Sequence, residues 1–199
     1  MNDSTEALKP ILVIVRGLPG SGKSYVVQEL QSQMSYADFV VLDPDAIDFD
    51  SEAYAAFSAG LTADGVDAKL HPYRFLRSQG YAGIKEHKII IWNQAFTRQD
   101  LLDRTIKNLQ TYAVENGHEL PALIVEVHVD PEIAKERVAQ RVEKGGHDVS
   151  AEAFERFIND YKTFDGYGYQ VISLDGTSDI TESVTQVKAA IKKLLRAND

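Results

Sequence analysis

Cysteine is absent from all 199 residues, which removes disulfide bonding and thiolate chemistry together. Cations are the scarcer charge: 21 Lys and Arg against 30 Asp and Glu leave a formal net charge of -9. An extended nucleic-acid surface needs clustered cations, so nucleic acid is disfavoured as a partner. A small anionic ligand held by a few local arginines is not. No apolar run approaches the ~18 residues of a membrane span. Met1-Asn2-Asp3-Ser4-Thr5-Glu6 has no basic stretch leading into an apolar one. The expectation is a soluble, cytoplasmic protein with no membrane partner. Internal repeats, charge blocks and low-complexity linkers are also missing, as is any N-K-x-D guanine-reading motif. His71, His87, His118 and His128 show no metal-ligand spacing, and His147 reads as a polar loop residue. What remains is ordinary globular composition, 44% hydrophobic and 26% charged. That length suits one core, read as a single domain over residues 1–199.

Against that plain background one motif stands out. Gly17-Leu18-Pro19-Gly20-Ser21-Gly22-Lys23-Ser24 is an uninterrupted G-x4-G-K-S phosphate-binding loop. Its glycines let the backbone curl so that successive N–H groups face phosphate oxygens. Lys23 reaches the β/γ-phosphates and the Ser24 hydroxyl coordinates Mg²⁺. The flanks agree. Ile11-Leu12-Val13-Ile14-Val15 suits a buried parallel strand. Val26, Val27, Leu30 and Met34 recur at helical spacing, so the loop opens a helix whose N-terminus favours anions.

Strand-like and helix-like segments alternate from there on, which points to an α/β fold: a parallel sheet with helices on both faces. Further strands are read at 39–42, 88–92, 122–128 and 170–174. Thr97 precedes an amphipathic segment carrying Leu102, Ile106, Leu109 and Ala113. Asp130-Pro131 and Asp179 with Glu182 read as helix starts. Two regions break the rhythm. Residues 49–87 exceed a simple crossover and contain Gly60, Gly65, Gly80 and Gly83, with Tyr73, Arg74, Arg77 and Tyr81 among them. Residues 143–150 form a polar glycine loop between two helices. Ligands collect beyond the carboxyl ends of the strands in such sheets. The first region is therefore read as an acceptor-binding insertion and the second as a lid.

The second strand ends in Asp43-Pro44-Asp45. Transfer of a phosphoryl group to a hydroxyl needs a proton acceptor or orienting group, and Mg²⁺ needs oxygen ligands. Asp45 is read as the base or substrate-orienting group and Asp43 as nearer the metal waters; the residues alone leave the choice between them open. The alternative is that both are solvated turn residues. The third strand ends in Asn93, which can orient substrate or a metal water but adds no charge, or can simply cap the strand. Arg137 and Arg141 share one helix face, where two guanidiniums would neutralise charge on a transferred group. Arg74 and Arg77 could bind an anionic group of the acceptor, or belong to a surface helix.

The phosphate loop, Asp43-x-Asp45 and the stretch from Glu136 to Val149 together resemble the zeta-toxin-like branch of the small P-loop kinases. Wider relatives of that branch include adenylate kinase, chloramphenicol phosphotransferase and polynucleotide kinase. The resemblance implies a five-stranded sheet in the order 2-3-1-4-5, a lid, and ATP with Mg²⁺ as donor. It places Asp45 at the substrate-activating aspartate, Arg137 and Arg141 on ATP phosphates or near the adenine, and Gly176 within the segment bordering the adenine. It also implies an antitoxin-type protein partner. The expected activity is an ATP-dependent kinase acting on a hydroxyl of a nucleotide sugar, nucleoside or antibiotic. The alternatives are a nucleotide-dependent switch acting through a partner and, less favoured by the charge, a polynucleotide 5′-hydroxyl kinase.

Overall fold

The computed structural model describes residues 9–145, 148–163 and 168–196. Five strands run parallel in one sheet: β1 (Ile11–Arg16), β2 (Phe39–Leu42), β3 (Ile89–Asn93), β4 (Ala122–His128) and β5 (Gln170–Asp175). Their order is β2-β3-β1-β4-β5, the P-loop NTPase arrangement. The central strands are apolar on both faces, as burial from both sides requires. Ile11, Val13 and Val15 point to one layer, and Leu12 and Ile14 to the other.

The first layer is α1 (Lys23–Gln33) and α7 (Ile180–Arg196), which bring Val26, Val27, Leu30, Val184, Val187 and Ile191 to the sheet. The second is α3 (His71–Lys85) and α4 (Gln99–Glu115), contributing Leu76, Ile84, Leu102, Ile106 and Leu109. A third, small core joins α5 (Pro131–Glu143) to α6 (Ala151–Asp160): Ala134, Val138 and Phe154 close around Leu18 of the phosphate loop. Asp130 and Asp179 cap α5 and α7 through backbone N–H groups, as their spacing predicts. The helix expected after Thr97 starts at Gln99, and Arg98 occupies its cap position without a side-chain capping bond.

Residues 49–87 are more regular than their glycines imply. They hold α2 (Glu52–Ala63), a short 3-10 turn at Ala68–Leu70, and α3. α3 is the sheet crossover itself, so only the α2 portion is added. Gly80 and Gly83 are packing residues, because a Cβ on Gly83 would lie 3.1 Å from Ile90 Cγ1 and 3.2 Å from Val40 Cγ1. Buried His71 ties the two helices, pairing with Ser58 Oγ at 2.9 Å and the Val66 carbonyl at 3.0 Å. Tyr81 stacks on Tyr112 of α4 and is occupied there. Among the described residues no helix is long and apolar enough to cross a membrane.

Candidate active site

All the strands end on the same side, and a cleft of about 1020 Å³ opens there above β1 and β3. Its floor is the phosphate loop. Gly20 adopts φ 81°, and a Cβ there would sit 2.2 Å from the Ala134 carbonyl oxygen of α5. Gly176, after β5, approaches the Ser21 carbonyl so closely that a Cβ would come within 2.3 Å. Loop, α5 and the β5–α7 turn are thus in backbone contact. Arg137 reinforces this by donating from Nη1 to the Gly176 carbonyl at 3.0 Å.

Lys23 opens α1 and folds its ammonium back onto the Gly17 and Leu18 carbonyls, at 3.0 and 2.9 Å. Desolvation lowers its pKa to about 8. Asp45 and Asp43 oppose the shift, and the Arg141 charge adds to it. Arg141 and both aspartates line the same cleft as the lysine. Ser24 follows on the first turn of α1.

Asn93 links this loop to the end of β2. Its Nδ2 donates to Asp43 Oδ2 at 2.7 Å and lies 3.4 Å from Ser24 Oγ. The other oxygen of Asp43 accepts the Asp45 N–H at 2.9 Å, capping a 3-10 turn at Pro44–Ala46. Asp43 is therefore a turn-capping residue that also lines the cleft. Asp45 is exposed in the cleft and accepts no hydrogen bond from the described residues. Asn93 Oδ1 is buried and unpartnered among the described residues.

The remaining cleft wall is the β3–α4 loop with Gln94, Thr97 and Arg98, faced by Tyr73 from α3 and by Val149 and Phe157 from the α5–α6 side. The structure brings Gly17–Ser24, Asp43, Asp45, Asn93, Arg137, Arg141 and Gly176 together. Arg74 and Arg77 are half-buried on α3 and do not line the cleft. Arg156 is exposed on α6, also away from it. Gly146 and His147 of the expected lid loop lie outside the described residues.

A buried cluster beneath the loop escaped the sequence reading. Arg16 ends β1 fully buried and donates to Glu126 of β4, to the Phe96 carbonyl at 3.1 Å and to the Lys162 carbonyl at 2.9 Å. Its guanidinium lies 4.3 Å from the Tyr161 ring centroid. Burial pushes the Tyr161 phenol up to about 12, against the pull of Arg16. The available signal was a charge of each sign in two largely apolar strands, Arg16 closing β1 and Glu126 inside β4, which the structure sets opposite each other in register.

A family model described as an AAA domain matches residues 12–164. No curated protein sequence matches the chain. Among solved structures, a gluconokinase from Sinorhizobium meliloti 1021 superposes with a TM-score of 0.57 at 14% identity, covering 94% of this chain and 95% of its own. A sugar kinase from Janibacter sp. HTCC2649 gives 0.57 at 16%, covering 94% and 98%. Deoxyadenosine kinase from M. mycoides, with products bound, gives 0.52 at 14%, covering 92% and 99%. At these identities the likeness is one of fold.

Proposed function

The chain belongs to the AAA-domain family, and from that premise we propose that it is an ATP-dependent phosphotransferase acting on a hydroxyl of a small molecule. The observation that carries the reading is the convergence of Lys23, Asp43, Asp45, Asn93 and Arg141 on one phosphate loop within one cleft. A bare phosphate loop needs only the first of these. An unengaged carboxylate beside it is what transfer to a hydroxyl requires.

In this reading Lys23 exchanges the Gly17 and Leu18 carbonyls for β/γ-phosphate oxygens, and Arg141 neutralises charge spreading over the transferred group. Arg137 braces the loop against Gly176 and borders the nucleotide. The acceptor oxygen bonds to the γ-phosphorus as the bond to the β–γ bridging oxygen breaks. ADP leaves with that electron pair, and the acceptor proton passes to Asp45. Mg²⁺ fits the residues present: Ser24 Oγ and the Asp43 carboxylate would hold it, and the unpartnered Asn93 Oδ1 suits one of its waters. Bound there, it supplies charge neutralisation at the β- and γ-phosphates.

Residues 49–87 carry acceptor contacts through Tyr73 rather than through Arg74 and Arg77, and residues 143–150 serve as the lid. The kinase names of the structural neighbours support the reaction class. The zeta-toxin-like version, with a nucleotide-sugar acceptor and an antitoxin partner, rests on Asp45 and the Arg137/Arg141 pair. Nucleosides and antibiotics suit the same cleft. The test is ADP formation with and without a protein-free small-molecule extract. We expect the extract to raise the rate at least about ten-fold. An equal rate in both, with partner binding that differs between ATP and ADP, would replace the kinase with a switch.

A further inference from the structure

We propose that Arg16 is a positioning residue that holds the β3–α4 wall of the cleft and the chain leaving α6 in one register, so that the acceptor wall and the α6 side of the cleft are set together. The meaning of the wall as an acceptor site rests on the reading above, but the geometry does not.

A fully buried arginine is a costly way to end a strand whose other residues are Ile, Leu and Val. Buried ion pairs are often no more stable than apolar replacements of similar volume. Arginine brings something else here: a rigid fork that reaches several acceptors at once. Nε takes the Phe96 carbonyl, and Nη1 takes Glu126 and the Lys162 carbonyl. Phe96 sits in the left-handed region at φ 41°, a strained choice for a bulky residue. That strained backbone delivers its carbonyl to Arg16 and fixes Gln94, Thr97 and Arg98 as the cleft wall. Tyr161 and Lys162 directly follow α6, whose Phe154 and Phe157 pack in the small core around Leu18. Movement of the α6 end therefore reaches the wall through one guanidinium, two bonds away.

The test compares the full chain with Arg16→Lys and with Arg16→Met combined with Glu126→Leu, by amide hydrogen exchange. Lysine keeps a charge beside Glu126 but loses the planar fork whose Nε and Nη1 reach the two carbonyls from separate nitrogens. The double variant removes both charges and guards against a simple failure to fold. In both variants, exchange at 94–98 and 161–163 is expected to rise about ten-fold, the scale of one charge-assisted hydrogen bond. Amides of β1, β3 and β4 should keep their protection. The single tryptophan, Trp92, lies 6.1 Å from the Phe96 ring and should report the same loosening as an emission shift. With Mg²⁺ and the β,γ-imido analogue of ATP, the wild type should slow exchange at 151–163 and 94–98 together, and the variants at 151–163 alone. Wild-type exchange at 94–98 in both variants would overturn the proposal. So would a rise spread evenly over the sheet, or analogue-induced slowing of the wall that survives in the variants. A wild type that ignores the analogue would sink the kinase reading while the ligand-free comparison still decides Arg16.

Discussion

On the nucleotide side of the cleft, Gly20 and Gly176 leave no room for a Cβ, while Lys23 and Arg137 already hold backbone carbonyls. On the opposite side, Asp45 is exposed, Tyr73 is 45% exposed, and the exposed Arg98 guanidinium pairs with its exposed neighbour Asp100. One side is built before any ligand arrives; the other is an open wall whose shape is set from beneath by Arg16. The difference suits the two tasks of the proposed kinase. Triphosphate recognition is generic and rewards preorganised donors, whereas acceptor choice depends on a few side chains that one fold can vary freely.

Substitutions on the two sides should therefore fail in different ways. Lys23→Ala should cost the most, about 10³-fold or more in transfer, with the loss appearing in nucleotide binding as well. Asp45→Asn should lower transfer by about 10² to 10³ while nucleotide affinity, measured by calorimetry, stays near wild type. Equal losses of nucleotide affinity in the two variants would erase the distinction between the walls.

Asn93 sits where the sides meet. Asn93→Asp replaces the donor to Asp43 with a second carboxylate, so the two repel in metal-free buffer. Thermal unfolding should show a loss of about 1–3 kcal/mol that Mg²⁺ restores. A loss indifferent to Mg²⁺ would remove Asp43 from the metal site.

The smallest effect is a proton count. Lys23 titrates near 8 because its ammonium is desolvated, and phosphate oxygens would favour its charged form. Binding of the imido analogue at pH 8 should therefore take up about half a proton at this lysine, and almost none at pH 6.5. Without ligand, the unfolded chain keeps a proton that native Lys23 releases between about 8 and 10.5, so Lys23 makes stability rise with pH across that window. Lys23→Met should flatten both trends.

The nucleotide side was legible in the sequence because its signals are local. A continuous apolar strand, a glycine loop and an amphipathic helix follow one another in the chain, and Asp130-Pro131 caps α5 where expected. Asp43 and Asp45, read from their place two residues apart at a strand end, both line the cleft. The opposite wall was not legible, because tertiary placement decides it. Gly80 and Gly83 resemble turn residues until Leu109 and Leu42 are seen pressing on the first and Ile90 and Val40 on the second. Arg74 and Arg77 are spaced like a binding pair, yet α3 turns only Tyr73 to the cleft. Arg16 and Glu126 lie 110 positions apart and meet only through the register of β1 and β4.

The central claim is that the γ-phosphate leaves ATP for another molecule. The direct measurement is the fate of γ-labelled ATP incubated with a small-molecule extract and wild type, Lys23→Ala or Asp45→Asn protein, with products resolved by mass. The account predicts label in a metabolite one phosphate heavier with wild type and none above background with either variant. Label found only as inorganic phosphate, at a rate independent of the extract and of Asp45, would contradict it.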